Sequence, residues 1–241
     1  MKSCAKTDVG RKRTINQDNV YRMDQPIGSL PNLYIVADGM GGHNAGDYAS
    51  RTCIEILPES VQISSVLTPI GVLQEAINKA NEEIYRRSCE DPLLEGMGTT
   101  VVVATVFGNK MYVANIGDSR LYLLNQTTIH QVTEDHSLVE AMVRNGELKK
   151  EEARVHPNKN IITRALGTDK QVTADFFEVT LKENDIVLMC TDGLSNMLED
   201  QEILHIVNSY SESLMATAAQ LVKEANECGG KDNIGIVLMR L

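Results

Sequence analysis

Apolar residues follow two spacings along this chain, and each spacing predicts its own kind of element. Short runs rich in Val, Ile, Leu and aromatic residues at Leu33 to Ala37, Thr99 to Phe107, Lys110 to Ile116, Arg120 to Leu124, Val172 to Thr180, Asp185 to Cys190 and Ile234 to Leu241 predict strands. Gly108-Asn109 and Gly117-Asp118-Ser119 supply tight turns between three of them, so Thr99 to Leu124 reads as an antiparallel meander. Elsewhere apolar positions recur every three or four residues. Val72, Leu73, Ala76, Ile77, Ala80 and Ile84 mark an amphipathic helix over 69–87, and Leu214, Ala218, Leu221, Val222 and Ala225 put one apolar stripe on a helix from Ser213 to Glu227. A shorter helix is predicted over Gln201 to Val207, and another from Asn44 to about Leu57, stopped by Pro58. Strands grouped between pairs of helices, without strict strand-helix alternation, predict an α+β fold with a largely antiparallel core covered by helices. From about His136 to Arg164 the patterning weakens to two short helical patterns, a Lys/Glu-rich stretch and Pro157, which predicts a surface segment. No linker composition or repeat divides the chain, so one domain over 1–241 is expected.

Composition narrows the function classes. Thirty-three acidic against 23 basic residues leave a formal charge of −10, which disfavours nucleic acid and anionic lipid as partners. No run approaches the ~18 to 20 apolar residues of a membrane span, and Met1 to Gly10 lacks the apolar stretch of a signal peptide, so a cytoplasmic protein is expected. Cys4, Cys53, Cys89, Cys190 and Cys228 are odd in number and never paired as CxxC, a pattern of reduced thiols rather than of disulfides or zinc ligands.

The candidate chemistry lies where apolar strands run out into Gly or Asn. Ala37-Asp38-Gly39, Thr191-Asp192-Gly193 and Lys231-Asp232-Asn233 each set a carboxylate at the edge of a buried strand, and Gly117-Asp118-Ser119 sets a fourth in a tight turn. Any one Asp-Gly pair is ordinarily just a turn. Several such carboxylates converging would repel one another unless a divalent cation neutralised them, and oxygen ligands without His or Cys clusters select Mg²⁺ or Mn²⁺. A second constellation, Arg11-Lys12-Arg13 followed by Asp18, offers cations near those acids, and an Arg fork matches phosphate oxygens.

Taken in order, Thr7-Asp8-x-Gly10-x-x-Arg13-x-x-Asn16-Gln17-Asp18, Asp38-Gly39-Met40-Gly41-Gly42-His43, Gly98-Thr99-Thr100, Asn115-Ile116-Gly117-Asp118-Ser119-Arg120, Thr133-Glu134-Asp135-His136-Ser137, Ile162-Thr163-Arg164-Ala165-Leu166-Gly167, Thr191-Asp192-Gly193-Leu194 and Asp232-Asn233 resemble the metal-dependent protein phosphatases of the PP2C (PPM) type in their compact bacterial form. The resemblance spans nearly the whole chain. It implies a central antiparallel β-sandwich flanked on each side by α-helices, with a two-metal centre at one end. By position, Asp38 would bridge two divalent cations, Mn²⁺ or Mg²⁺, Gly39 would lend its backbone carbonyl to one, and Asp192 and Asp232 would hold the other. Asp18 would act through water, Asp118 with Asp192 would form a weaker third site, and Arg13 would bind phosphate. Asn233 would support the ligand loop, while Thr99 and Thr100 read as core residues without a chemical role. The segment at about 136–164 takes the place of the family's flap beside the active site. His43 is the candidate general acid, the other proton source for the leaving alkoxide being water.

The implied reaction is hydrolysis of phosphoserine and phosphothreonine on proteins by a metal-bridging hydroxide attacking in line, without a protein nucleophile. Phosphorylated proteins, expected to be substrates of a serine/threonine kinase in signalling, would be the partners of a monomeric enzyme. No cysteine begins a Cys-x5-Arg phosphate loop, which excludes a thiol phosphatase. Two rivals are a two-metal phosphodiesterase, opposed by the charge of −10 and only 4% aromatic residues, and a non-catalytic phosphoprotein-binding or regulatory module, opposed by the presence of every expected ligand.

Overall fold

Strands buried on both faces need no polar alternation, and that is how the central strands of this molecule are built. The computed structural model describes residues 2–42 and 45–241. In chain order the elements are β1 (Lys2–Asp8), β2 (Asp18–Met23), β3 (Leu33–Met40), α1 (Ala45–Ile63), α2 (Pro69–Glu90), β4 (Gly98–Thr99), β5 (Val101–Phe107), β6 (Lys110–Ile116), β7 (Arg120–Leu124), β8 (Ile129–Gln131), α3 (Leu138–Arg144), α4 (Lys150–Ala153), β9 (Asp175–Thr180), β10 (Ile186–Cys190), α5 (Asp192–Ser195), α6 (Asp200–Ser209), α7 (Leu214–Glu227) and β11 (Ile234–Arg240). One antiparallel sheet has the order β1-β11-β10-β7-β8, and the other β2-β3-β5-β6-β9 with β4 beside β3.

The sheets face each other across one apolar layer, and helices cover both outer faces. Along β3 the side chains alternate: Tyr34 and Val36 enter the layer between the sheets, whereas Leu33, Ile35 and Ala37 pack with Leu73, Ile77 and Ile84 of α2. On the other side Ile234, Ile236 and Leu238 of β11 pack with Ile203 of α6 and Leu221 of α7, and Val237 and Met239 point inward. The result is the four-layer α+β arrangement that the motifs implied.

Three differences from the sequence pattern matter. First, β6 and β7 do not pair: β6 lies between β5 and β9, and β7 lies between β10 and β8. Gly117-Asp118-Ser119 is therefore a crossover between sheets, and the expected three-strand meander is not formed. Second, Pro58 lies inside α1 rather than ending it. An interior proline costs about 3 kcal/mol, but Leu57, Pro58 and Val61 are all buried, so packing against the sheet offsets the lost hydrogen bond. Third, β1 and β2, whose polar-rich sequences gave no strand signal, pair with β11 and β3 respectively. The predicted start of α1 at Asn44 lies outside the described residues.

Antiparallel register places the functional candidates. Asp18 opens β2 opposite Asp38 at the end of β3, and β10 ends at Cys190 opposite Ile236, near the start of β11. The strand ends that carry acids consequently share one mouth of the sandwich.

Candidate active site at the mouth of the sandwich

Asp38, Asp18, Asp192, Asp232 and Asp118 arrive at this mouth on separate segments, and the field of the other four acids acts on Asp38. Burial, reinforced by the mutual repulsion, pushes the carboxyls of Asp18, Asp38, Asp118 and Asp192 above the ordinary carboxylate range. Arg120 relieves them only in part: its charge acts on Asp118 and Asp192 against the effect of burial, but its guanidinium bonds Asp135 through both Nε (3.0 Å) and Nη2 (2.7 Å). Among the described residues no three His, Cys, Asp or Glu groups close into a ready cage. What favours a cation here is the crowding of charge, together with two orphaned oxygens: buried Oδ1 of Asp18 and of Asp118 have no hydrogen-bond partner. Carboxylate oxygens with empty acceptor capacity and no sulfur or imidazole among them suit Mg²⁺ or Mn²⁺.

Each acid is held by groups that serve its orientation. Thr191 Oγ1 donates to Asp18 Oδ2 at 2.7 Å and accepts from Gly235 N–H at 2.8 Å, so one hydroxyl ties β2 to the opposite sheet. The Asp38 N–H donates to Thr100 Oγ1 (3.1 Å), and its carbonyl accepts from Thr100 N–H and Thr99 Oγ1, both at 2.9 Å. Thr99 and Thr100, read from sequence as plain core residues, thus fix the backbone that presents Asp38. Asp192 opens α5, and its Oδ2 accepts from Asn196 Nδ2 at 2.8 Å. Asp232 accepts from Arg13 Nη2 at 2.8 Å through Oδ2 and from Asn233 N–H at 2.9 Å through Oδ1. Asn233 also donates to the carbonyls of Val9 and Ile15 and accepts from Gln17 N–H, all at 2.9 Å, which fastens the β1–β2 loop to the ligand segment.

Gly39 is required by close approach: a Cβ there would stand 2.0 Å from the carbonyl oxygen of Gly46 in α1. Gly117 takes φ +105°, which L side chains rarely adopt, and lies against Thr100. This turn is clamped by His136, whose Nδ1 accepts from Gly117 N–H (3.0 Å) while its own N–H donates to the Gly117 carbonyl (2.9 Å). With Nδ1 accepting, the other ring nitrogen, Nε2, is left to donate toward Asp175 Oδ2 at 3.1 Å, and burial lowers the imidazole's pKa. The sequence gave His136 no role, since its partner is 19 residues away and visible only in the fold.

The mouth therefore brings together Arg13, Asp18, Asp38, Gly39, Asp118, Asp192 and Asp232; His43 lies outside the described residues. Arg13 is half-exposed and commits one Nη2 to Asp232, leaving further donors. Cys190 is no rival nucleophile, as burial pushes its thiol up to about 12. Beside the acids, a cavity of about 480 Å³ opens between α5–α6 and the 136–164 segment, lined by Asp118, Asp192 and Asn196 on one side and Glu140, Lys150 and Lys159 on the other. The ends of that segment are zipped by Leu138 N–H to Ile161 O (2.9 Å) and Thr163 N–H to His136 O (2.8 Å).

The chain as a whole is similar to known proteins. The family model described as protein phosphatase 2C matches residues 23–234. The serine/threonine phosphatase stp of Listeria monocytogenes serotype 4b (strain F2365) is 42% identical over 242 residues, covering 97% of this chain and 93% of that protein. The crystal structure of the serine/threonine phosphatase Stp1 from Staphylococcus aureus superposes with a TM-score of 0.93 at 33% identity, covering 100% of this chain and 94% of that one. The catalytic domain of the serine threonine protein phosphatase PstP, solved in complex with two manganese ions, gives 0.84 at 32% identity over 98% of this chain and 96% of its own.

Proposed function

Because this chain belongs to the protein phosphatase 2C family, we propose that the five gathered aspartates and Arg13 carry out that family's reaction in this molecule. The chain is a metal-dependent protein phosphatase that removes phosphate from serine and threonine residues of phosphoproteins, with two divalent cations, Mn²⁺ or Mg²⁺, as its cofactors. When bound, the cations supply a water acidic enough to attack phosphorus near neutral pH and positive charge for the transferring phosphoryl group.

The protein's own part is to hold and orient. Asp38, on which the other acids act, would be shared by both ions, with the Gly39 carbonyl on one and Asp192 and Asp232 on the other. Asp18, one oxygen occupied by Thr191 and the other without a partner, would help to hold the ions through water. Asp118 and Asp192 would take a weaker third ion. Arg13 turns its uncommitted donors to the phosphate oxygens, where a preorganised planar fork stabilises charge that grows in the transition state. The leaving serine or threonine oxygen takes its proton from water or from His43. Residues 1–241 form one domain in this reading, and the segment at about 136–164 acts as a flap that meets the protein substrate. No described helix is long and apolar enough to cross a membrane, and with a charge of −10 the reading is completed by a cytoplasmic monomer that binds neither membrane nor nucleic acid.

The observation that carries the proposal is the convergence of buried carboxylates with unpartnered oxygens on a single mouth. Phosphate release from a phosphothreonine peptide, measured with Mn²⁺, with Mg²⁺ and with chelator, tests it. Turnover should depend wholly on added cation, and undiminished turnover in chelator would reject the reading.

A further inference from the structure

One contact links the flap to the acids through side chains that the motifs did not single out. Lys159, at the far end of the flap segment, donates from Nζ to Asn196 Oδ1 at 3.1 Å, and Asn196 Nδ2 donates to Asp192 Oδ2 at 2.8 Å. A lysine ammonium has only donors, so the amide oxygen of Asn196 must face it, and the amide NH₂ must then face the carboxylate. Without the lysine, the carboxylate alone holds the amide in that orientation, and the oxygen of Asn196 loses the donor that fixes it from the flap side. A second tie runs alongside: Arg154 Nη2 donates to the Leu198 carbonyl at 2.9 Å, and its Nε pairs with Glu199 at 2.6 Å. The flap therefore rests on residues 196–199, the stretch that directly follows Asp192 and α5. Burial lowers the Lys159 pKa and the charge of Asp192 opposes that shift, as expected for an ammonium drawn in beside the site.

We propose that Lys159 is a positioning residue that couples the seating of the flap to cation binding at Asp192, with Asn196 as the intermediate. The inference rests on the phosphatase reading above and deepens it. A seated flap fixes Asp192 in the rotamer that ligates, and an ion on Asp192 in turn holds Asn196 and the flap. Such linkage is reciprocal, so each event favours the other by the same factor.

The test is calorimetric titration of the metal-free protein with MnCl₂, together with amide hydrogen exchange of residues 150–160 with and without Mn²⁺. Lys159→Met, which keeps the stem and removes the donor, should weaken Mn²⁺ binding about tenfold, in the range of residues that orient metal ligands. Lys159→Arg should restore most of it. In the wild type Mn²⁺ should slow exchange in the flap, and in Lys159→Met it should not. Asn196→Ala should match the lysine variant, and the double variant should be no weaker than either single. Equal Mn²⁺ affinity in wild type and Lys159→Met, or additive losses in the double variant, would overturn the coupling while leaving the phosphatase reading intact. A wild-type protein that takes up no Mn²⁺ would instead overturn both.

Discussion

Glu83 on α2 and Asp38 at the mouth of the sandwich are both carboxylates, yet the protein treats them in opposite ways. Glu83 bonds Arg86 at 2.8 Å and Arg87 at 2.5 Å, which pull its pKa down to about 2. Asp38 and three of its neighbours are desolvated among like charges and pushed the other way. On the helix surface the chain supplies its own counter-charge. At the mouth, among the described residues, Arg13 pairs directly with Asp232, while Lys159 and Arg120 act on Asp192 without outweighing its burial among like charges. Buried charge that the sequence does not balance is balanced from outside, and the contrast marks the site without reference to any motif.

The strongest attempt to break this contrast is Asp192→Asn. Phosphopeptide turnover should fall at least about 100-fold, beyond the loss expected for residues that merely orient a ligand. The metal-free melting temperature should hold or rise, since one repelling charge is gone. Turnover within twofold of wild type would refute the ligand role.

A second test varies pH and metal together. The raised carboxyls bind protons more tightly in the folded state, so their contribution is full below the ordinary carboxylate pKa and is lost as pH rises through the raised values. Metal-free protein should thus lose stability toward neutral pH at this site, and saturating Mn²⁺ should return it. At 100 times the dissociation constant the gain is about 2.7 kcal/mol, roughly 5 to 10 °C in melting temperature, and the gap between Mn²⁺ and chelator should widen from pH 5 to pH 8. A constant gap would break the electrostatic account. Glu83 runs the other way: its depressed pKa gives stability present above the unfolded value and lost only as pH falls toward about 2.

Smaller effects sharpen the comparison. Asp118→Asn removes a desolvated charge with an orphaned oxygen and should raise the metal-free melting temperature by about 2 to 4 °C, as for roughly 1 kcal/mol. A fall would show that the turn depends on that carboxylate. Glu83→Gln, on the helix surface, should lower the melting temperature by no more than about 4 °C and leave turnover unchanged, because surface ion pairs contribute at most about 1 kcal/mol. A large loss of turnover there would mean that α2 reaches the site.

Much of this was legible in the sequence where residues buried on two faces leave a continuous apolar run, as in β10 and β11, or where a stripe repeats at helical spacing, as in α2. The strand-end aspartates were legible for the same reason: a buried strand that stops in Asp-Gly has few reasons to do so. What stayed hidden depends on partners distant in sequence. Pro58 was a sound stop signal, overridden by packing that only the sheet provides. The turn at Gly117 looked like a hairpin, and nothing local says that β7 leaves for the other sheet. Lys159 and Asn196 carry no signal of their own, and His136 stands in a motif without a role, because each acquires its role from a neighbour brought there by the fold.

That change of sheets has a mechanical consequence. Asp18 and Asp38 belong to one leaf of the sandwich, Asp192 and Asp232 to the other, and Asp118 to the strap that passes between them. An ion held by acids from both leaves would work as a rivet through the open end of the molecule, and the same act that arms the enzyme would clamp its jaws shut.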